Sequence, residues 1–247
     1  MKIVGVYSIK GGVGKTSTAV NIAYLAASAG RRTLVWDLDP QGAASYYFRV
    51  KPKVKGGGRA LLERSKALDD AIKGTDFDRL DLLPADFSYR NMDLLLEETK
   101  HPHKRLGRLL KPLADDYDLV VLDCPPSISL MSENIFRAAH ALLVPLIPTT
   151  LSARTLGQLD DFLAREGLDG QVKLLPFFSM AEAGKTLQQE VMRELPGQYG
   201  GFLETIVPKA AEVERMGLRR MPLPAYAPSH AATRAFHELW REVEARL

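Results

Sequence analysis

The chain has 247 residues, 46% of them hydrophobic and 26% charged, enough to bury a sizeable core and ordinary for a soluble globular protein. A formal net charge of +3 does not announce nucleic acid, so any basic surface must be local; the single cysteine, Cys124, excludes an internal disulfide and an intrachain Cys-x-x-Cys metal site. No apolar run approaches the roughly 20 residues that cross a bilayer, and the N-terminus lacks the pattern of a signal peptide, so a cytoplasmic protein is expected.

The first apolar run, "KIVGVYS" (2–8), predicts a strand. A Gly-rich turn follows, then a helical pattern over "TSTAVNIAYLAASAG" (16–30) that Gly30 closes as a C-cap. "RTLVWDLD" (32–39) predicts the second strand. The longer connection from Gly42 to Leu80 carries the basic run "KPKVKGGGR" (51–59) and a short helix within 59–74. Strands are then predicted at "LDLLPA" (80–85), "YDLVVLDCPP" (117–126), "ALLVPLIP" (141–148) and "VKLLPFFS" (172–179), with a helix over "SENIFRAAH" (132–140) opening on Ser132. Runs so continuously apolar suit strands buried on both faces. Their alternation with helices predicts an α/β fold with a mostly parallel central sheet and helices on both faces. No domain-sized linker, internal repeat or long low-complexity segment interrupts the pattern, so residues 1–247 are read as one domain. In the last segment Ala232, Phe236, Leu239, Trp240, Val243 and Leu247 recur at helical spacing and predict a helix packed against that domain.

The turn after the first strand carries chemistry. "SIKGGVGKTS" (8–17) matches Gly-x-x-x-x-Gly-Lys-[Ser/Thr] at Gly14, Lys15 and Thr16, with Ile9 at the first glycine position. A strand, a Gly-rich turn and a helix N-terminus are the context in which backbone N–H groups cradle phosphates. Gly11, Gly12, Val13, Gly14, Lys15, Thr16 and Ser17 are therefore the expected ATP-binding loop, with Lys15 on the β and γ phosphates and the Thr16 hydroxyl on Mg²⁺. "WDLDPQG" (36–42) sets two carboxylates at the end of the second strand, and "LVVLDCPP" (119–126) ends its strand in Asp123, the expected Walker B ligand of Mg²⁺. Three strand ends converge on one predicted metal–nucleotide site, that of a P-loop NTPase.

In this order and spacing, "KGGVGKTS", "DLDPQG" and "YDLVVLDCPPS" resemble the deviant Walker A ATPases of the ParA/MinD group, and most of all its ParA branch; the likeness runs over essentially the whole chain. The resemblance implies that Lys10 is the signature lysine that reaches a partner subunit's triphosphate in an ATP-dependent homodimer. Two ammonium groups in one loop repel, and polyphosphate charge compensates them. It further implies that Asp39 positions the attacking water, an ordinary carboxylate being a poor base, and that Asp37 supports the Mg²⁺ geometry. Adenine contacts are expected at the strand end Phe178 to Met180, where Phe178 can equally be core, and at Pro208. The resemblance also implies slow ATP hydrolysis stimulated by a ParB-like or other partner, a cargo to be partitioned or positioned, and nucleoid association through non-specific DNA. Lys209, Arg215, Arg219 and Arg220 are the candidate DNA contacts, with solvated surface as the alternative. No helix-turn-helix precedes the first strand, so operator recognition is not expected.

Two other classes compete. A MinD-like membrane helix would use the C-terminal segment, but its polar face mixes Arg234, Arg241 and Arg246 with Glu238, Glu242 and Glu244 and shows no preference for anionic lipid, so membrane binding is not expected. A biosynthetic ligase of the dethiobiotin synthetase type is disfavoured by Lys10 and "DLDPQG". An iron-protein-type cluster carrier would need cysteines absent here. "AGKT" (183–186) mimics the end of the phosphate loop without its preceding glycines and is read as a helix start, and His101 and His103, two histidines in a basic stretch and a weak metal signal, as a solvated loop.

Overall fold

The structure, a computed structural model, describes residues 1–63 and 65–247. The first strand, β1 (Lys2–Val6), leads through the glycine loop into α1 (Lys15–Ser28), and β2 (Thr33–Asp37) leads into the short α2 (Ala43–Tyr47). The long connection then forms α3 (Gly57–Glu63), α4 (Ser65–Ala71) and a two-residue strand β3 (Lys73–Gly74) before β4 (Leu80–Leu83). The single helix expected within 59–74 is thus two pieces and a strand; Arg64, between the pieces, lies outside the described residues. Helices α5 (Met92–Glu97) and α6 (Arg105–Leu110) precede β5 (Leu119–Asp123), α7 (Leu130–Ala138) and β6 (Ala141–Leu146). The second half continues with α8 (Thr150–Arg165), β7 (Lys173–Ala181), α9 (Thr186–Glu194) and β8 (Ile206–Pro208). It closes with the short α10 (Ala211–Glu214), α11 (Met216–Arg219) and α12 (Leu223–Tyr226), then α13 (Ala231–Arg246).

Among the described residues eight strands form one sheet in the order β3-β4-β2-β5-β1-β6-β7-β8. Every pairing is parallel except β3 with β4. The pleat divides the apolar residues between two cores. Leu34, Trp36, Val120, Leu122 and Leu142 face the layer of α3 to α8, whereas Val4, Val6, Val35, Val121 and Leu143 face α1 and α13. Burial on both faces is why these runs lack polar alternation. In the middle of β1, a Cβ on Gly5 would lie 3.0 Å from Leu142 Cδ2 and 3.1 Å from Ile135 Cγ2, so the side chains of β6 and α7 pack directly over its backbone.

Helix α7 starts two residues before the expected Ser132. Ser129 is the N-cap, and its N–H donates to the Ser132 hydroxyl at 2.7 Å, the reciprocal bond of a capping box. In α13 the positions Ala232, Phe236, Leu239, Trp240 and Val243 are buried against α1 and the sheet, as their spacing requires. Glu242 accepts from the N–H groups of Glu204 and Thr205, both at 2.8 Å, and Glu244 pairs with Arg31 at 2.7 Å. No helix among the described residues is long and apolar enough to cross a membrane.

Candidate functional site

The C-terminal ends of β1, β2 and β5 lie side by side, with Val6 opposite Asp123 and Asp123 opposite Asp37 in the parallel register. Such ends are where open α/β sheets place ligands. The loop leaving β1 bends through Gly12 at φ 72° and Gly14 at φ 90°, a region that penalises a Cβ. A side chain at 14 would also meet Ser179 Oγ at 3.1 Å. The turn therefore leaves its N–H groups and the first turn of α1 available to an anion.

Lys15 is buried beneath this loop, and its Nζ donates to the Lys10 carbonyl at 3.1 Å. Burial pulls the ammonium below its ordinary range, while Asp123, Cys124 and Asp39 oppose that fall. Two fully buried carboxylates stand near it. Asp37 Oδ2 accepts from both the N–H and the hydroxyl of Ser45, each at 2.7 Å, but Asp37 Oδ1 and both oxygens of Asp123 have no hydrogen-bond partner. Burial pushes Asp37 up to about 6 against the Ser45 bonds, and Asp39 adds to the rise. Burial and then the Asp37 charge drive Asp123 well above the carboxylate range, with the Thr16 hydroxyl and Lys15 pulling it back. Partnerless buried carboxylate oxygens are costly unless a cation meets them. These orphaned oxygens, beside the Thr16 hydroxyl and an anion cradle, fit a hard divalent ion that keeps most of its own water.

Asp39 caps the loop after β2: its Oδ1 accepts from Gln41 N at 2.9 Å, and the side chain is half-buried at the rim. Tyr7, the residue after β1, donates its hydroxyl to the Ser127 carbonyl at 3.0 Å and so ties the loop after Asp123 to the first strand.

A cavity of about 220 Å³ opens beside the glycine loop, walled by Gly12, Gly14, Ser17, Tyr47, Met180 and Pro208 among others. It is partly apolar and large enough for a heteroaromatic base. Of the expected adenine positions, Ser179, Met180 and Pro208 line it, but Phe178 does not: that ring is 2% exposed and packs on Phe202 at 4.8 Å between centroids, in the opposite core, because an irregularity in the pairing with β8 separates it from Met180. Tyr47 and Ser45 are absent from the sequence-level site. They reach it because Gly42, at φ 68°, turns the chain directly into α2, and no motif announces that turn.

The four candidate DNA residues do not form one free cluster. Lys209 lies 3.6 Å from Glu182 and lines the cavity, and Arg215 pairs with Glu212 at 2.8 Å. Arg219 is exposed and has no acidic partner among the described residues, while Arg220 is half-buried on Tyr46. An irregular turn does follow α11, but it exposes only the first of the two arginines. Lys185 of the second "GKT" is the N-cap of α9 and pairs with Glu182 at 2.8 Å, as a helix start should. His101 and His103 are exposed, as expected of a solvated segment, although Glu133 of α7, 30 residues on in sequence, comes to 2.7 Å from His103.

Residues 1–166 match a family described as an AAA domain. The chain is 30% identical to the chromosome partitioning protein ParA of Myxococcus xanthus (strain DK1622), covering 99% of this chain and 88% of that protein. It is 28% identical to the sporulation initiation inhibitor protein Soj of Bacillus subtilis (strain 168), over 99% and 98% of the two chains. Among solved structures it superposes on cobyrinic acid a,c-diamide synthase from Mycobacterium smegmatis, determined with bound ATP analog and magnesium, with a TM-score of 0.80 and 26% identity over 98% of this chain and 93% of that one.

Proposed function

The chain belongs to the ParA/MinD-like deviant Walker A ATPases of the AAA domain family, and from that premise we propose that it is a ParA-like positioning or partition ATPase: it binds Mg-ATP, dimerises around it, associates with DNA without sequence preference and hydrolyses ATP slowly until a partner protein stimulates it. One observation carries the nucleotide half of this reading: three partnerless carboxylate oxygens of Asp37 and Asp123 sit buried at adjacent strand ends, with Lys15 acting on Asp123 from a loop that turns through two positive-φ glycines.

In this reading the amides from Gly11 to Ser17 and the Lys15 ammonium hold the β and γ phosphates, and the wall of Tyr47, Met180 and Pro208 takes the base. Thr16 and Asp123, with Asp37 behind them, would hold Mg²⁺, which supplies charge neutralisation across the phosphates. Asp39 orients a water toward the γ phosphorus from the rim of the site. Lys10 stands at the mouth of the loop, where its ammonium can meet a second subunit's nucleotide and add charge stabilisation as phosphoryl charge develops. Coupling the interface to the triphosphate in this way makes dimerisation report ATP. The dimer doubles the phosphate contacts available to Arg219 and its neighbours, and DNA affinity rises with it.

The test is a pair of variants. Lys15→Ala removes a charge-assisted phosphate contact worth about 1.5–3 kcal/mol and lowers ATP affinity at least about tenfold by isothermal titration. Lys10→Ala keeps ATP affinity within a few-fold but elutes as a monomer with ATP and releases phosphate more slowly. Normal ATP affinity in Lys15→Ala, or a parental dimer in Lys10→Ala, refutes the corresponding role. The M. smegmatis neighbour's name makes a small-molecule ligase the second reading; phosphate release by the parent without any carboxylate acceptor excludes it.

A further inference from the structure

The stretch that carries Arg219 and Arg220 is bolted to the nucleotide site from two directions. Asn21, fully buried in α1, donates Nδ2 to the Ser17 carbonyl at 2.8 Å and to Met216 Sδ at 3.4 Å, and its Oδ1 accepts from Leu223 N at 2.8 Å. Both ends of the α11 turn therefore hang from the helix that begins in the phosphate loop. Helix α2 supplies the second attachment. Its Ser45 is bonded to Asp37, its Tyr47 walls the base cavity, and a Cβ on Gly217 would lie 3.9 Å from the Tyr47 ring. The Tyr46 carbonyl accepts from Arg220 Nε at 3.1 Å, and the Tyr46 ring lies 4.4 Å from the guanidinium carbon.

Arg220 itself sits at φ 52°, a left-handed conformation that a non-glycine residue holds only when its surroundings enforce it. With its face on Tyr46 and its Nε on a carbonyl, this guanidinium is spent on holding α11 to α2. Arg219, next to it, is engaged through its backbone alone, its N–H donating to the Arg215 carbonyl at 2.9 Å and its carbonyl accepting from Arg49 Nη2 at 3.2 Å, and leaves its side chain in solvent.

We propose that Arg220 and Tyr46 are positioning residues that fasten the basic turn to the nucleotide-binding elements α1 and α2, and that Arg219, not Arg220, is the residue of this pair that contacts DNA phosphate. The division of labour rests on the DNA-binding reading above; the fastening does not. A residue that neutralises a phosphate contributes about 0.9 to the slope of log affinity against log salt, whereas a residue that only positions it changes affinity at every salt concentration and leaves the slope alone.

The experiment is a salt titration of binding to a labelled 30-base-pair duplex with Mg-ATP, for the parent and for Arg219→Ala, Arg220→Ala, Tyr46→Ala and Tyr46→Phe. Arg219→Ala should reduce the slope by about 0.9 per chain. Arg220→Ala and Tyr46→Ala should weaken binding severalfold with the parental slope, and Tyr46→Phe, which keeps ring and carbonyl, should behave as the parent. Hydrogen exchange without DNA tests the fastening alone: amides of 216–220 should exchange at least about tenfold faster in Tyr46→Ala, with α13 unchanged and ATP still bound. A slope loss in Arg220→Ala equal to that in Arg219→Ala overturns the division of labour, and parental exchange in Tyr46→Ala overturns the fastening. If the ATP-bound parent binds no duplex at 50 mM salt, the DNA reading falls, and exchange at 216–220 still decides the fastening.

Discussion

Replacing Asp37 by asparagine should stabilise the nucleotide-free protein while damaging its site. Asp37 is fully buried beside Asp123, and its carboxyl is held at about 6 instead of the ordinary 3.8. That difference of about 2 pH units, at 1.36 kcal/mol each, puts the destabilisation from its ionised form at about 3 kcal/mol near pH 7.5. The sign follows from linkage. The folded protein binds this proton more tightly than the unfolded chain, so the contribution to stability is fully present below about 3.8 and is lost as pH rises through about 6. Asparagine keeps an oxygen for the two Ser45 donors, puts an NH₂ where Oδ1 has no partner, and carries no charge at any pH. For a chain of this length, 3 kcal/mol corresponds to a rise in Tm of about 6–12 °C. Thermal unfolding in EDTA at pH 7.5, 5 and 4 measures it, and the gain should fall to about half at pH 5 and to a fifth at pH 4. A variant no more stable than the parent at pH 7.5, or a gain indifferent to pH, would show that burial and the Asp39 charge do not strain Asp37. Added Mg²⁺ and ATP should stabilise the parent much more than Asp37→Asn.

Ser45→Ala removes the hydroxyl donor to Asp37 and leaves the backbone N–H, so the pH midpoint for Mg-ATP binding should move upward by titration calorimetry, with weaker binding at neutral pH and recovery under more alkaline conditions. Asp39→Ala should bind ATP normally and accumulate a dimer by size exclusion while phosphate release falls at least about tenfold; a dimer that turns over at the parental rate removes Asp39 from the chemistry. Gly5→Ala forces a Cβ to within 3.0 Å of Leu142, an overpacking cost of about 1–3 kcal/mol, and should lower Tm by about 2–12 °C with ATP affinity retained.

What the chain's own order of residues determined is what depends on short-range physics. The glycine loop, Lys15 and Thr16 are legible because a phosphate cradle is built from contiguous backbone, and the buried strands because an apolar run of five or six residues needs no partner to be recognised. Asp37 and Asp123 could be placed at strand ends for the same reason. Their mutual strain could not, because it arises only when parallel register sets Asp37 directly opposite Asp123, 86 positions apart, and leaves three oxygens without donors. The same holds for α2. "ASYY" is unremarkable as a string, yet one glycine turn puts Ser45 on Asp37, Tyr47 in the cavity wall and Tyr46 under Arg220. Four basic residues close in sequence read as one patch, whereas their carboxylate and aromatic partners, some of them distant in the chain, decide that Arg219 alone of the pair before Pro222 stands free in solvent. Phe178 and Met180 are two positions apart at one strand end, and a bulge in the pairing with β8, with Met180 at φ 54°, sends one to the core and the other to the cavity. Local chemistry is written in neighbouring letters; burial, register and charge compensation are properties of groups that only the tertiary fold makes neighbours.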